Sequence, residues 1–328
     1  MTIDTAIIGA GWAGLTAARL LAKAGREVVV LEKSRGPGGR SATRRSDGAR
    51  FDHGAQYFTA RSAAFGRHLQ QWRDAGLVDR WQPRLAVFGK KSAENEGHRD
   101  SSDTQRFVAV PGMNGVCHHL AEGLDCRFDT RVSALQYEGR WWLELDSGET
   151  LQARRLLITA PPAQAAALLG AADPLHDELA RVSFNPCIAG MLSFDSALDP
   201  GFDAAFVNGS DVLSWVACDS SKPGRSGRNW VLHATAAWSQ AHLEQTFDDS
   251  ATHLVAAFAE LVDEALPALN VQTAHRWRYA QAGEPQARGH IGDEARRLAI
   301  AGDWLAGSRI EGAWTSGRKA GEWLARLD

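Results

Sequence analysis

The sequence predicts an α/β protein in which a Rossmann-like dinucleotide-binding domain is joined to a mixed-sheet α+β domain. Three observations carry that prediction. In residues 5–14 an apolar run ending at Ile7-Ile8 meets Gly9, Gly11 and Gly14 in the spacing G-x-G-x-x-G, and an Ala/Leu-rich helical segment follows over 15–24. A second apolar run, 27–31, ends at Glu32. Over 163–286, short β-patterned runs share the chain with one long amphipathic helix.

Each glycine of the first motif has a physical task. Gly9 lets the chain turn sharply, Gly11 lets a pyrophosphate reach bare backbone, and Gly14 lets helix and strand pack closely. The free N–H groups of the first helical turn, with the helix dipole behind them, favour a diphosphate there. Glu32 stands at the tip of the second strand, where a carboxylate accepts both hydroxyls of an adenosine ribose. Gly makes up 32 of the 328 residues, so the spacing alone is weak. The preceding strand, the following helix and the acidic residue supply the context it requires.

A chain of 328 residues suits two joined domains. With 44% hydrophobic and 23% charged residues it has ordinary globular proportions. Its net charge of −3 implies no basic face for nucleic acid. No apolar run is long enough to span a bilayer and no leader pattern precedes the first strand, so a cytoplasmic protein without nucleic-acid or membrane partners is expected. Cys117, Cys126, Cys187 and Cys218 are scattered and read as reduced thiols. His118-His119 follow Cys117, but neighbours on a helix face different directions, so no metal is expected.

Beyond Glu32 and Lys33, a second glycine turn, Gly36-Pro37-Gly38-Gly39, closes on Arg40. A longer dinucleotide needs such a second backbone approach, and a guanidinium fork suits its pyrophosphate. Then comes Phe51-Asp52-His53-Gly54-Ala55-Gln56-Tyr57-Phe58-Thr59. In this order the motifs resemble the N-terminal half of the FAD-binding amine-oxidase superfamily, and the Gln56-Tyr57 pair is most similar to its renalase branch.

That resemblance implies a fold of the glutathione-reductase/amine-oxidase type with FAD as cofactor. It implies the diphosphate on Gly9, Gly11, Trp12, Ala13 and Gly14, and the adenosine at Glu32 with Lys33 beside it and the backbone of Val132 reading the adenine. The remote half would meet Gly39 and Arg40, and the ring would lie over Gln56, Tyr57 and Phe58. Residues 298–303 resemble the superfamily's closing strand, whose aspartate, here Asp303, accepts a ribityl hydroxyl. The helix opening at Gly312, with Arg309 and Ile310 before it also expected at the cofactor, would face the flavin pyrimidine, where its N–H groups and dipole stabilise the negative charge of reduction. No Cys falls in 298–328, so FAD is expected to be non-covalent. The implied division is 1–60, 105–162 and 290–328 for FAD, and 61–104 and 163–289 for substrate.

Between the motifs, patterning predicts a helix over 63–75 and strands over 85–88 and 106–110 around a polar hairpin tip or mobile loop, 90–103. It predicts a helix over 116–124 and a meander of runs 126–137, 140–145 and 150–158. The second domain reads as helices over 163–169 and 175–181, strands near 188–194, 204–207, 213–218, 230–235 and 271–279, and a helix over 252–266 stopped by Pro267.

Monoamine and polyamine oxidases of the superfamily use a lysine near the flavin and aromatic walls. The substrate domain here has one lysine, Lys222, in a Gly/Ser loop, and the chain has 3 tyrosines, Tyr57, Tyr137 and Tyr279. That equipment looks absent, whereas the renalase likeness runs through 233–235, Trp277-Arg278 and the closing Gly-Asp. It implies oxidation of the 2- and 6-dihydropyridine isomers of β-NAD(P)H, with O2 as acceptor and hydrogen peroxide as product. Tyr57, Arg61, His242 and Arg278 are the expected substrate residues, with His242 equally readable as a solvated helix-start histidine. No protein side chain is expected as the catalytic base, because a dihydropyridine expels hydride with its own nitrogen lone pair. Another flavin amine oxidase or desaturase, or a non-catalytic flavin protein, remains as an alternative.

Overall fold

The computed structural model describes residues 2–89 and 104–327; the predicted loop 90–103 lies outside them. The first part of the chain forms β1 (Thr2–Ile8), α1 (Trp12–Lys23), β2 (Val28–Leu31), β3 (Arg44–Ser46), β4 (Ala49–Phe51), α2 (Ala63–Asp74), β5 (Val78–Trp81) and β6 (Leu85–Phe88). Next come β7 (Arg106–Ala109), α3 (Gly115–Ala121), β8 (Asp125–Arg127), β9 (Val132–Tyr137), β10 (Trp141–Leu145), β11 (Thr150–Ile158), α4 (Pro162–Leu169) and α5 (His176–Ala180). The last part holds β12 (Phe184–Phe194), β13 (Ala204–Val207), β14 (Leu213–Cys218), β15 (Asn229–Ala234), α6 (Ala236–Ala241), α7 (Phe247–Val262), β16 (Leu269–Ala282), β17 (Ile291–Asp293), β18 (Leu298–Ile300) and α8 (Ile310–Ala325).

The larger sheet runs β17-β18-β11-β1-β2-β8, with β10 and β9 added antiparallel to the start of β11. Its centre, from β18 to β8, is parallel. Ile7, Val28, Val30 and Leu157 face α1 and α8, while Ile3, Ala6, Ile8, Val29 and Leu31 face the opposite core. Burial on both faces is why these strands read as unbroken apolar runs. Helices α1 and α8 meet closely, since a Cβ on Gly317 would lie 2.1 Å from the Ala13 carbonyl oxygen. This contact sets the start of α1 against the middle of α8.

The smaller sheet runs β16-β12-β15-β14-β13-β6, antiparallel except for the β13–β6 pair. Leu254 and Phe258 of α7 cover its outer face against Ile188, Leu192 and Trp230. α7 starts earlier than the pattern predicts because Thr246 caps it, its Oγ1 accepting from the Asp249 N–H at 3.1 Å. It ends at Val262, ahead of Pro267, where Asp263 turns left-handed with φ 54°.

Several expectations change. β6 and β7 do not form a hairpin, because β6 joins β13 while β7 pairs with β5. The run 126–137 splits at Asp129 (φ 49°), so β8 extends the parallel sheet and only β9 enters the meander. Phe65, Leu69 and Trp72 of α2 pack in one core with Trp12, so this part of 61–104 is built onto the dinucleotide side. β3, β4, β5, α6 and β17 are too short to display a period in sequence. Among the described residues no helix is long and apolar enough to cross a membrane.

Candidate dinucleotide and substrate site

The turn after β1 is built as its glycines require. Gly9 has φ 106°, a region that L side chains rarely adopt, and a Cβ on Gly14 would lie 2.0 Å from the Gly9 oxygen. A Cβ on Gly11 would meet nothing within 4 Å, which leaves an open cradle at the start of α1. No side chain caps that start. The second glycine turn closes the cradle, the Gly38 N–H donating to the Ala10 oxygen at 2.9 Å, while Gly39 stands against Gly11. Trp12 contributes backbone only, because its indole lies in the core and donates to Ser41 Oγ at 3.0 Å.

Glu32 is buried, with one carboxylate oxygen accepting from Ala10 N–H and the other from Ser34 N–H, each at 2.8 Å. Each oxygen keeps a further lone pair. The Thr130 N–H donates to the Glu32 carbonyl at 2.9 Å, which brings Val132 beside the same corner. Lys33 points outward to Gln164 at 3.2 Å.

At the other end Arg40 meets Asp303 through both guanidinium nitrogens, at 2.5 and 3.1 Å, and donates to the Ala280 oxygen at 3.0 Å. The Asp303 side chain is 8% exposed and that of Arg40 34%. α8 begins nearby at Arg309-Ile310, again without a capping side chain. Glu311 accepts from the backbone N–H groups of Arg61 and Ser62, both at 2.8 Å, and so ties the start of α8 to the segment after Tyr57. Burial and then the Arg61 charge depress the pKa of Arg309, so two cations stand together here.

The segment between these ends is held by buried charges. The Ala55 N–H donates to the Arg40 oxygen at 2.9 Å. Gln56 donates from Nε2 to the Asp52 and Gly54 oxygens, and its Oε1 accepts from Lys222 Nζ at 3.1 Å. Lys222 has no side-chain exposure and also bonds Asp219 at 2.6 Å, with its ammonium 5.5 Å from the Trp81 ring centre. Arg225 donates twice to Asp52, whose other oxygen accepts from Thr43 and from the Met113 N–H. Burial pushes the Asp52 carboxyl up, but Lys222 and Arg225 outweigh it and hold it below the usual range. For Asp219 burial wins, and its carboxyl is raised.

Beside Gln56 three imidazoles crowd together. His53 and His275 have ring centres 4.7 Å apart, Trp277 donates to the His53 oxygen at 2.9 Å, and His233 Nε2 lies 3.3 Å from the same oxygen. Burial first, and neighbouring positive charge second, lower His53 to about 3 and His275 to about 4. Burial lowers His233 to about 4. All three are neutral at pH 7. Tyr57 lies with Trp81 and Trp215 at ring distances of 6.2 and 5.9 Å, and the Arg106 guanidinium covers the Tyr57 ring at 5.4 Å. Phe58 lies in the core, bridged to Phe107 and packed on Trp12.

The expected substrate residues divide. Tyr57 and Arg61 gather near Arg309. His242 and Arg278 do not join them. Arg278 pairs with Glu244 at 2.7 Å, and its neighbour Arg276 also turns to the α6–α7 connection, whereas His275 and Trp277 turn to His53. His242 is at the end of α6, not at a helix start, and stacks on Trp238 at 4.2 Å. The residues missed by sequence reasoning are Lys222, Asp219, Arg225, Trp215 and the three histidines. For Trp215 and His233 the signal was a polar or aromatic residue in an otherwise apolar strand, whereas Lys222, Asp219 and Arg225 lie in the loop after β14 and His53 in the turn after β4, where the sequence carries no such signal.

An open glycine cradle, a buried carboxylate, a basic fork and two uncapped helix starts make a set that fits a long dinucleotide. Residues 7–73 match the family model of an NAD(P)-binding Rossmann-like domain, and residues 87–322, more than half of the chain, match that of a flavin containing amine oxidoreductase. This chain belongs to the flavin-containing amine oxidoreductase family. Its cofactor is FAD. A carotenoid 3,4-desaturase of Haloarcula japonica is 28% identical over 44% of this chain and 31% of its own length. The human all-trans-retinol 13,14-reductase is 37% identical over 26% of this chain and 14% of its own. The match thus spans under a third of either relative. Putrescine oxidase, solved with putrescine bound, superposes with TM-score 0.71 over 99% of this chain and 100% of that chain, at 16% identity, and so shares the fold.

Proposed function

We propose that the protein is an FAD-dependent oxidase of the renalase type, which takes hydride from the 2- and 6-dihydropyridine isomers of β-NAD(P)H. The products are NAD(P)+ and, with O2, hydrogen peroxide. FAD, when bound, supplies the hydride acceptor and the route of electrons to O2. In this reading Gly9, Gly11, Gly14 and Gly39 hold its diphosphate, Glu32 its ribose, and Arg40 and Asp303 exchange part of their mutual pairing for its remote half. The absence of a cysteine from 298–328 supports non-covalent binding. The four free thiols suit a cytoplasmic setting.

One observation carries the choice of substrate: among the described residues, the three imidazoles around Gln56 are poor bases at neutral pH, and the raised Asp219 carboxyl is tied up by Lys222. Lys222 is paired with Asp219 and Gln56, and burial has lowered His53, His233 and His275 to about 3 to 4. Such imidazoles accept protons poorly at pH 7. A dihydropyridine needs no proton removed first; it needs its ring held flat with the donor carbon near the acceptor. Tyr57, Trp81 and Trp215 provide an aromatic wall for a planar ring, and Arg61 and Arg309 provide positive charge for its phosphates.

The relatives' names favour a second reading, oxidation of an amine or desaturation of a polyene. Anaerobic mixing of the FAD-loaded protein separates the two. Borohydride-reduced NAD+, which contains the dihydro isomers, is expected to bleach the flavin within seconds, and putrescine is expected to leave it oxidised. Bleaching by the amine alone would overturn the renalase reading.

A further inference from the structure

We propose that the β3–β4 hairpin and α3 form a separate binding site for a phosphate dianion, free or as the ester of a small molecule. In the antiparallel register of this hairpin Arg45 stands directly opposite Arg50. Side chains in such a pair project on the same face about 5 Å apart, and like charges there oppose the pairing. The hairpin has only three residue pairs. Among the described residues no carboxylate forms an ion pair with either arginine.

The backbone cannot slip to relieve this repulsion. Phe51 is buried against Met191 and Val231, Asn229 donates to the Arg50 carbonyl at 3.1 Å, and the Arg44 guanidinium, alternating to the opposite face, lies 3.4 Å from His275 Nδ1. A one-residue shift would expose Phe51 and turn Arg44 outward. The fold therefore holds two like charges together on one face.

That face opens onto a cavity of about 270 Å³ lined also by Thr43, Asn114 and His118. Asn114 Nδ2 donates to His118 Nε2 at 3.1 Å and keeps a second N–H, a neutral donor beside the two guanidinium groups. Glu122 is the one carboxylate in the lining, and it is engaged with His119 at 3.3 Å. A compact dianion placed between the arginines turns their repulsion into two charge-assisted contacts. The half-open volume has room for a phosphate group and a small ester, and the net charge of −3 argues against an extended polyanion. On the far side, Asn114 packs against Gly38, 3.0 Å from where its Cβ would stand, so the site adjoins the second glycine turn without including the Gly11 cradle.

The test uses FAD-loaded protein at low ionic strength, with phosphorus NMR line broadening and melting temperature as readouts. Inorganic phosphate is expected to bind saturably and raise the melting temperature. Arg45→Gln and Arg50→Gln are each expected to weaken binding at least tenfold, with flavin absorbance unchanged. Arg154→Gln, at an exposed site on β11, is expected to change nothing. Without phosphate, Arg45→Gln should melt no lower than the parent, since it removes a repulsion. Ribose 5-phosphate is the second probe: tighter binding than phosphate assigns the site to esters, and weaker binding to the free ion. Absence of saturable binding by both probes, or binding that persists in the Arg45→Gln/Arg50→Gln double variant, overturns the proposal.

Discussion

Two ionic groups lie at opposite ends of the segment 40–57, and they are built for opposite purposes. Arg40 and Asp303 form a bidentate pair with one partner a third exposed. Water already screens that pair, so parting it for a phosphate or hydroxyl costs little. Lys222, Asp219, Asp52 and Arg225 form a network in which no side chain is more than 4% exposed. No water can replace a lost partner there, so the network is closed and acts as a clasp between the 219–225 loop and the turn carrying Gln56. Exposure, more than geometry, separates the pair that a ligand can open from the one it cannot.

The largest break in that comparison is Lys222→Met. It leaves two buried carboxylates with one cation, and about 3–5 kcal/mol of stability should be lost in chemical denaturation. Lys222→Met/Asp219→Asn, which removes both charges, should recover much of the loss. Unchanged stability in the single variant would show that the clasp is not closed as described.

The next effect is acid sensitivity. An unfolded imidazole gains its proton near pH 6.5, but folded His233 does so only near 4. The unfolded state therefore binds more protons throughout that window. Stability is complete above pH 6.5 and falls as pH drops toward 4, by up to about 3 kcal/mol for this one group. His233→Gln should flatten the dependence, measured as denaturation midpoints between pH 4 and 7. An unaltered slope would contradict a buried neutral imidazole.

Gly14→Ala should cost about 1–3 kcal/mol and release FAD on gel filtration, because its Cβ would press on the Gly9 oxygen at 2.0 Å. The smallest change in stability is expected for Asp303→Asn, about 1 kcal/mol or less without cofactor. Its FAD affinity should nevertheless fall roughly tenfold, or about 1.4 kcal/mol. A large stability loss with full FAD affinity would reverse the roles assigned to the two ionic groups.

How far the sequence was legible follows the range of the interactions. The glycine turn, Glu32, most strands of the two larger sheets and the existence of α1 and α8 were readable, because each depends on residues within one turn or one strand. Lys222 reads as a loop lysine among Gly and Ser. Its burial depends on Asp52, Gln56 and Trp81, over a hundred positions away. Arg278 and His242 sit close in sequence to flavin-side residues, yet sheet alternation and the carboxylate of Glu244 turn Arg278 away. β6 and β7 look like two arms of one hairpin, and their partners β13 and β5 send them to different sheets.

The sequence by itself determined the dinucleotide turn, the alternating and continuous apolar runs, and the likeness to flavin enzymes, since backbone conformation and periodicity are local properties. Only the tertiary structure decided which charges are sealed, which remain openable, and that Arg45 and Arg50 face each other. Burial and strand register arise when distant segments meet, and both set the free energy of a charge more strongly than its neighbours in the chain do.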